Sequence, residues 1–265
     1  MGLFQVLCVM AVVARSQELQ NFSVGTSPFT VGSTEDAATL AMSIQCSNGD
    51  FSVQWVEEVF VVETIYVTDG TSLIITGVGP EAIADGGDST QLFVADRGSN
   101  LHLSDVILTN GNAFDGGAIH ANQSSVSFGG NTIFSSNSAT EGGGAIYAYD
   151  SRVSWDGDGI QFNSNHAGED GGAIYAVEST VSWDGDDTYF YSNFADNTGG
   201  AIYAYESTAS WDGDYCTPTS SAISLTTLEV QSTPMNRRCP GMATTPPSTS
   251  TSLTILEVQS TRMDR

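Results

Sequence analysis

The chain has 265 residues, 40% of them hydrophobic, with 28 Gly and 7 Pro, a composition that can bury a core and does not read as disordered. Its 31 acids face 7 bases, all of them Arg, and the net charge of −24 argues against nucleic acid and anionic lipid as partners.

Residues 3–13, LFQVLCVMAVV, form a short apolar run, and Ala14-Arg15-Ser16 follows as a small-x-small cleavage site. Residues 1–16 therefore read as a secretory signal peptide, although the usual basic start is missing. A buried N-terminal strand is the alternative. The run is too short to cross a bilayer as a helix, and no other segment qualifies, so no transmembrane anchor is expected. Asn21-Phe22-Ser23 and Asn122-Gln123-Ser124 are N-glycosylation sequons, consistent with secretion. With Cys8 in the leader, Cys46, Cys216 and Cys239 remain. They have no metal-type spacing and no readable disulfide framework.

Within residues 17–50, the stretch to 32 is polar and irregular. Ser33-Thr34-Glu35-Asp36 then looks like a helix start, a hydroxyl cap with an acid three residues on. Ala37, Leu40, Ala41 and Ile44 follow at i, i+3, i+4, i+7 spacing, and Ser47-Asn48-Gly49 ends the helix. A single short helix ahead of many strands is predicted to cap the open end of a solenoid.

From residue 51 to 215 the pattern is short strands and turns. Phe60-Val61-Val62, Thr64–Val67, Ser72–Ile75, Gln91–Val94 and Asn100–Leu103 are strand-like, with Asp69-Gly70 and Gly77 as turn signals. A repeat then becomes explicit. Gly-Gly-Ala-Ile-His/Tyr-Ala starts at Gly116, Gly143, Gly171 and Gly199, with spacings of 27, 28 and 28. Trp-Asp-Gly-Asp starts at Trp155, Trp183 and Trp211, and Phe-x-x-Asn at Phe134, Phe162 and Phe190. Ile107–Asn110 reads as a degenerate first member of the last series. Alternation puts the Ile of Gly-Gly-Ala-Ile and the Ala two residues after it, such as Ile174 and Ala176, on the inner face, and Val, Trp and Phe of the other strands inward. Three strands and three turns in about 28 residues make one rung. Stacking places like on like about 4.8 Å apart, so Asn110, Asn137, Asn165 and Asn193 are expected to form an internal amide ladder.

Gly-Gly-Ala-Ile followed in phase by Phe-x-x-Asn resembles the repeats of polymorphic outer-membrane proteins among bacterial surface adhesins. The wider pattern is similar to the right-handed parallel β-helix of the pectin-lyase-like superfamily, and the resemblance covers roughly residues 60–215. It implies an all-β, right-handed parallel β-helix at a cell surface. Bacterial members carry a C-terminal autotransporter barrel. No stretch here reads as one, so barrel anchoring is not expected.

Enzymes of the superfamily use a Lys or Arg base beside calcium-binding Asp residues, or paired Asp. This chain has no Lys, and the rungs hold only Arg97 and Arg152. Asp156/Asp158, Asp184/Asp186 and Asp212/Asp214 recur in every copy, whereas a catalytic site is singular, so turn formation is the expected role. Calcium at these aligned carboxylates is the alternative; no other cofactor is expected. His120 and His166 lack a second ligand at metal spacing.

The candidate binding feature is aromatic. His120, Tyr147, Tyr175 and Tyr203 are predicted to stack outward on one face, flanked by Tyr149 and Tyr205, offering apolar rings with polar tips to glycans or cell-surface proteins. Rings that only stabilise the sheet as same-face neighbours are the bland alternative.

Residues 216–265 lose the rung pattern and are expected to be a non-repeat tail, disordered unless it is a frameshifted repeat. Even so, Ser224–Thr233 returns as Ser252–Thr261, an offset of 28. Read two nucleotides on, codons permitted by Leu228–Thr244 spell GGAIYAYESTVSWDGD, and those of Leu256–Arg265 spell GGAIYAYGS. A frameshift near Tyr215–Cys216 explains both; an O-glycosylated Ser/Thr/Pro stalk is the alternative. The expected protein is a non-catalytic, secreted or cell-surface β-helix with a structural, adhesive or binding role. A polysaccharide-active β-helix is the second reading.

Overall fold

The computed structural model describes residues 28–46, 49–157, 159–184, 188–211, 216–218, 223–226 and 230–232. The leader, Asn21, Cys239 and most of the tail lie outside the described residues.

Strands in this chain are short because each carries at most three inward residues before a turn. In Arg152–Trp155, for instance, Val153 and Trp155 are buried while Arg152 is exposed. One strand cannot bury that face alone, so it pairs in parallel with its equivalent a rung away. Val153 stands opposite Val126 and Val181, and Trp155 opposite Phe128 and Trp183. The result is an all-β parallel solenoid. The sheet containing the Trp-bearing strands is the longest, nine strands from Phe29–Val31 to Val230–Ser232. The Tyr-bearing and Phe-bearing sheets have seven strands each.

A fourth ladder was not anticipated. Two-residue strands at Asn112–Ala113, Ser138–Ala139, His166–Ala167 and Phe194–Ala195 form a further sheet. Three of them follow directly on Phe-x-x-Asn and Asn112–Ala113 follows Gly111, and two residues are too few for a periodic signal. The rung therefore has four strands, not three.

Inside, identical residues meet. Phe134, Phe162 and Phe190 stack with centroids 4.8 Å apart and planes within 4°. Trp155 and Trp183 stack at 5.0 Å. Phe93, Ile119, Ile146, Ile174 and Ile202 form one buried column. At about 25 cal/mol per Å² of apolar surface removed from water, such columns dominate the stability of a rung.

The paired glycines have two different jobs. Gly143, Gly171 and Gly199 each sit at φ +66°, a left-handed conformation that other residues adopt at a cost. Gly144 is needed for close approach: a Cβ there would lie 2.3 Å from Gly172 O and 2.5 Å from His166 O.

Helix α1, Thr34–Cys46, covers the first turns, packing on strands Phe29–Val31, Glu58–Phe60 and Ile65–Val67. Ala37, Leu40, Ala41 and Ile44 are buried. At its start Asp36 N donates to Ser33 Oγ, and Ser33 Oγ and Gly32 N donate to Asp36 Oδ2, a reciprocal cap. Strand Phe29–Val31, within the segment expected to be irregular, pairs with Val53–Trp55.

Past residue 215 the described residues include three short strands. Cys216–Pro218, Ile223–Thr226 and Val230–Ser232 add in parallel to the Phe, Tyr and Trp sheets, opposite Thr188–Phe190, Ile202–Tyr205 and Ala209–Trp211.

Candidate functional site

The outward residues of the Tyr sheet form one continuous column. Strand register places Val94, His120, Tyr147, Tyr175 and Tyr203 in line. Ring centroids are 4.9 Å apart for His120–Tyr147, 5.3 Å for Tyr147–Tyr175 and 5.1 Å for Tyr175–Tyr203, with the planes tilted by 33°, 59° and 37°. Each is half-buried. Tyr175 also lies against the backbone of the preceding rung, where a Cβ on Gly142 would come within 2.2 Å of its Cδ1. Neighbouring rings thus cover part of one another's faces. Tyr149 and Tyr205 share this face and are more exposed, at 39% and 43%. Val177 stands between them in register, so they do not form a second column.

Carboxylates border the column. Burial raises the Tyr175 hydroxyl to about 12, with further contributions from Tyr203, Asp170, Tyr147 and Asp115. Tyr147 is raised as well, first by burial and then by Asp115, Tyr149 and Glu141. Glu141 is raised by partial desolvation and by Glu169 and Asp115. Burial lowers His120 despite the opposing pull of Asp115 and Asp96. At neutral pH the face is therefore one of uncharged rings edged with negative charge.

The internal amide ladder runs through Asn137, Asn165 and Asn193. Asn165 Oδ1 accepts from Asn137 Nδ2 and N, both at 3.0 Å, and Asn193 Oδ1 accepts from Asn165 Nδ2 and N at 2.9 and 3.1 Å. Their amide groups also donate to Leu108, Phe134 and Phe162 carbonyls. Asn110 does not belong to it. Register aligns Leu108, not Ile107, with Phe134, so Gly111 takes the ladder position and its N donates to Asn137 Oδ1. Asn110 instead takes the left-handed position held by Ser136, Ser164 and Ser192 in later rungs, and its Nδ2 donates to Asp85 Oδ1.

A second ladder went unnoticed in the sequence. Ser124, Ser151 and Ser179 each donate a backbone N–H to the Oγ of the next Ser, ending on Ser207, at 2.9–3.1 Å. Ser151, Ser179 and Ser207 Oγ donate back to the carbonyls of Tyr149, Val177 and Tyr205. The signal was available: an acid followed by Ser closes the Tyr strand at Asp150-Ser151, Glu178-Ser179 and Glu206-Ser207.

Other candidates are dispersed. Asp156 and Asp184 are exposed, and Asp158, Asp186, Asp212 and Asp214 lie outside the described residues. Among the described residues no three His, Cys, Asp or Glu converge on a metal-sized site. His166 stacks on Phe194 and approaches Asp196 Oδ1 at 3.4 Å. The Asn122 sequon side chain donates to Asp96 Oδ1. An open groove of about 490 Å³ beside the Ser ladder is lined by Asp150, Arg152 and Glu178, among others.

Fold and surface define a parallel β-solenoid of near-identical rungs. Residues 125–149, 159–177 and 187–205 match the Chlamydia polymorphic membrane protein repeat. The chain thus carries three repeats of that kind, and repeat and fold together suggest a surface protein. No curated protein and no solved structure matches the chain. No helix among the described residues is long and apolar enough to cross a membrane.

Proposed function

We propose that the chain is a non-catalytic, secreted or cell-surface solenoid whose Tyr face binds a basic segment of a protein partner. The observation that supports this is the ring spacing of 4.9–5.3 Å. Rings that cover part of each other's faces leave less open face for a sugar to stack on, whereas phenol oxygens and the carboxylates of Asp115, Glu141, Glu169 and Asp170 accept hydrogen bonds from Arg or Lys. The net charge of −24 speeds association with such a partner.

An immobilised Arg-rich peptide tests the reading, with a neutral glycan array alongside. Binding should weaken as salt rises, and Glu141→Gln with Glu169→Gln should weaken it at least ~10-fold through lost charge-assisted bonds. Unchanged affinity in the double variant, or binding to glycans instead, would overturn it. The groove lined in part by Arg152, Asp150 and Glu178 supports the second reading, a polysaccharide-active site. Release of new reducing or unsaturated ends from acidic polysaccharide, lost in Arg152→Ala, would establish that reading in place of the first.

A further inference from the structure

We propose that residues 216–265 encode two further rungs of this solenoid in another frame, the frame being lost between Asp214 and Cys216. In the frame two nucleotides on, each codon joins the last nucleotide of one residue to the first two of the next. The second and third nucleotides of every shifted codon are therefore dictated by this chain, apart from the two codon families of Ser, Leu and Arg. Only the first is open to synonymous choice.

From the last nucleotide of Cys216 the permitted reading is HTYFFSNFADNTGGAIYAYESTVSWDGD. Residues 187–214 are DTYFYSNFADNTGGAIYAYESTASWDGD. The two differ at three places only, opposite Asp187, Tyr191 and Ala209. From the last nucleotide of Thr244 the reading is DTxFYxNFADNTGGAIYAYGS, where x marks a codon that cannot match. This repeats residues 187–207 except opposite Tyr189, Ser192 and Glu206. Methionine leaves no choice: Met235 followed by Asn236 dictates Glu, opposite Glu206, Met242 followed by Ala243 dictates Gly, opposite Gly213, and Met263 followed by Asp264 dictates Gly, the mismatch opposite Glu206.

The structure shows why these matches are not decoration. Thr188, Phe190, Asn193, Gly199, Ala201, Ile202, Ala204 and Ser207 are the buried positions of that stretch, and both shifted rungs reproduce all of them. Tyr191, Ser192 and Glu206 are exposed, and Tyr189 is half-buried. At Ala209 the shifted residue is Val, which already occupies that column at Val153 and Val181. The shifted rungs would continue the Asn ladder beyond Asn193 and the Ser ladder beyond Ser207. In the frame translated here, Ser224 and Leu225 stand opposite Tyr203 and Ala204 instead. Restoring the frame also adds two Tyr to the outward column, which, on the reading proposed above, lengthens the binding face.

Sequencing genomic DNA and messenger RNA across the codons of Trp211–Arg265 tests the frame without reference to binding. The expected result is that the wobble nucleotides spell the two rungs. Wobble nucleotides that spell unrelated residues in that frame would sink the idea. A protein test runs in parallel: a frame-restored chain should melt at higher temperature than this one and aggregate less. If it melts lower or fails to fold, the shifted residues are not rungs.

Discussion

Asn165 carries the most structure per side chain. It accepts two hydrogen bonds from Asn137 and donates to Phe134 O, all in the buried interior. Asn165→Ala orphans buried donors and an acceptor on neighbouring rungs and should cost about 3 kcal/mol. Asn110→Ala, outside the ladder, loses a single bond to Asp85 and leaves Ala in a left-handed conformation, and should cost about 1–2 kcal/mol. Urea unfolding of the two variants separates them, and equal losses would refute the ladder assignment. Titration gives a second check at this scale. The folded Tyr175 hydroxyl sits near 12 against an ordinary 10, so the unfolded chain ionises first. Stability is full below pH 10 and falls as pH rises toward 12. His120 works the other way. Its folded value lies below 6.5, the unfolded chain binds the proton more tightly, and stability falls as pH drops through and below 6.5. His120→Gln should flatten that acid limb in thermal melts, and a limb left intact would assign it to other groups.

Helix α1 tests the cap. Ser33→Ala removes the acceptor for Asp36 N and the reciprocal bond to Asp36 Oδ2, a loss of about 1 kcal/mol. Hydrogen exchange should show the loosening confined to α1 and the strands it covers, because solenoid elements couple to nearest neighbours. Loosening spread evenly over all rungs would mean the helix is not an end cap. The turns are less forgiving. Gly144→Ala puts a methyl into the Gly172 and His166 carbonyls and should cost ~4 kcal/mol or more, an exceptional value for one methyl.

Across the whole molecule the dominant electrostatic term is self-repulsion. Carboxylates recur each rung, and the effect of Glu169 and Asp115 on Glu141 is its local expression. Going from ~0.01 to ~1 M NaCl shortens the screening length from about 30 to about 3 Å. The melting temperature should therefore rise with salt, while binding to a basic partner should weaken. A melting temperature that falls with salt would show that attractive pairs, such as Arg97 with Asp69 and Asp96, outweigh the repulsion.

The period, the inward Ile, Phe and Trp, the outward Tyr and the helical cap were legible in the sequence, because each depends on residue alternation along one strand or one helix. Tertiary structure decided what depends on register between rungs. Pairing Leu108 with Phe134 moved Asn110 out of the ladder by one residue and put Gly111 in. It exposed the Ser ladder, whose bonds run between residues 27 or 28 apart, and a sheet of two-residue strands too short to have a period. It also showed that the Tyr rings partly cover one another. Spacing along the chain says that like residues will meet; only the packed rungs set how closely and at what tilt, and so what each ring leaves open to a partner.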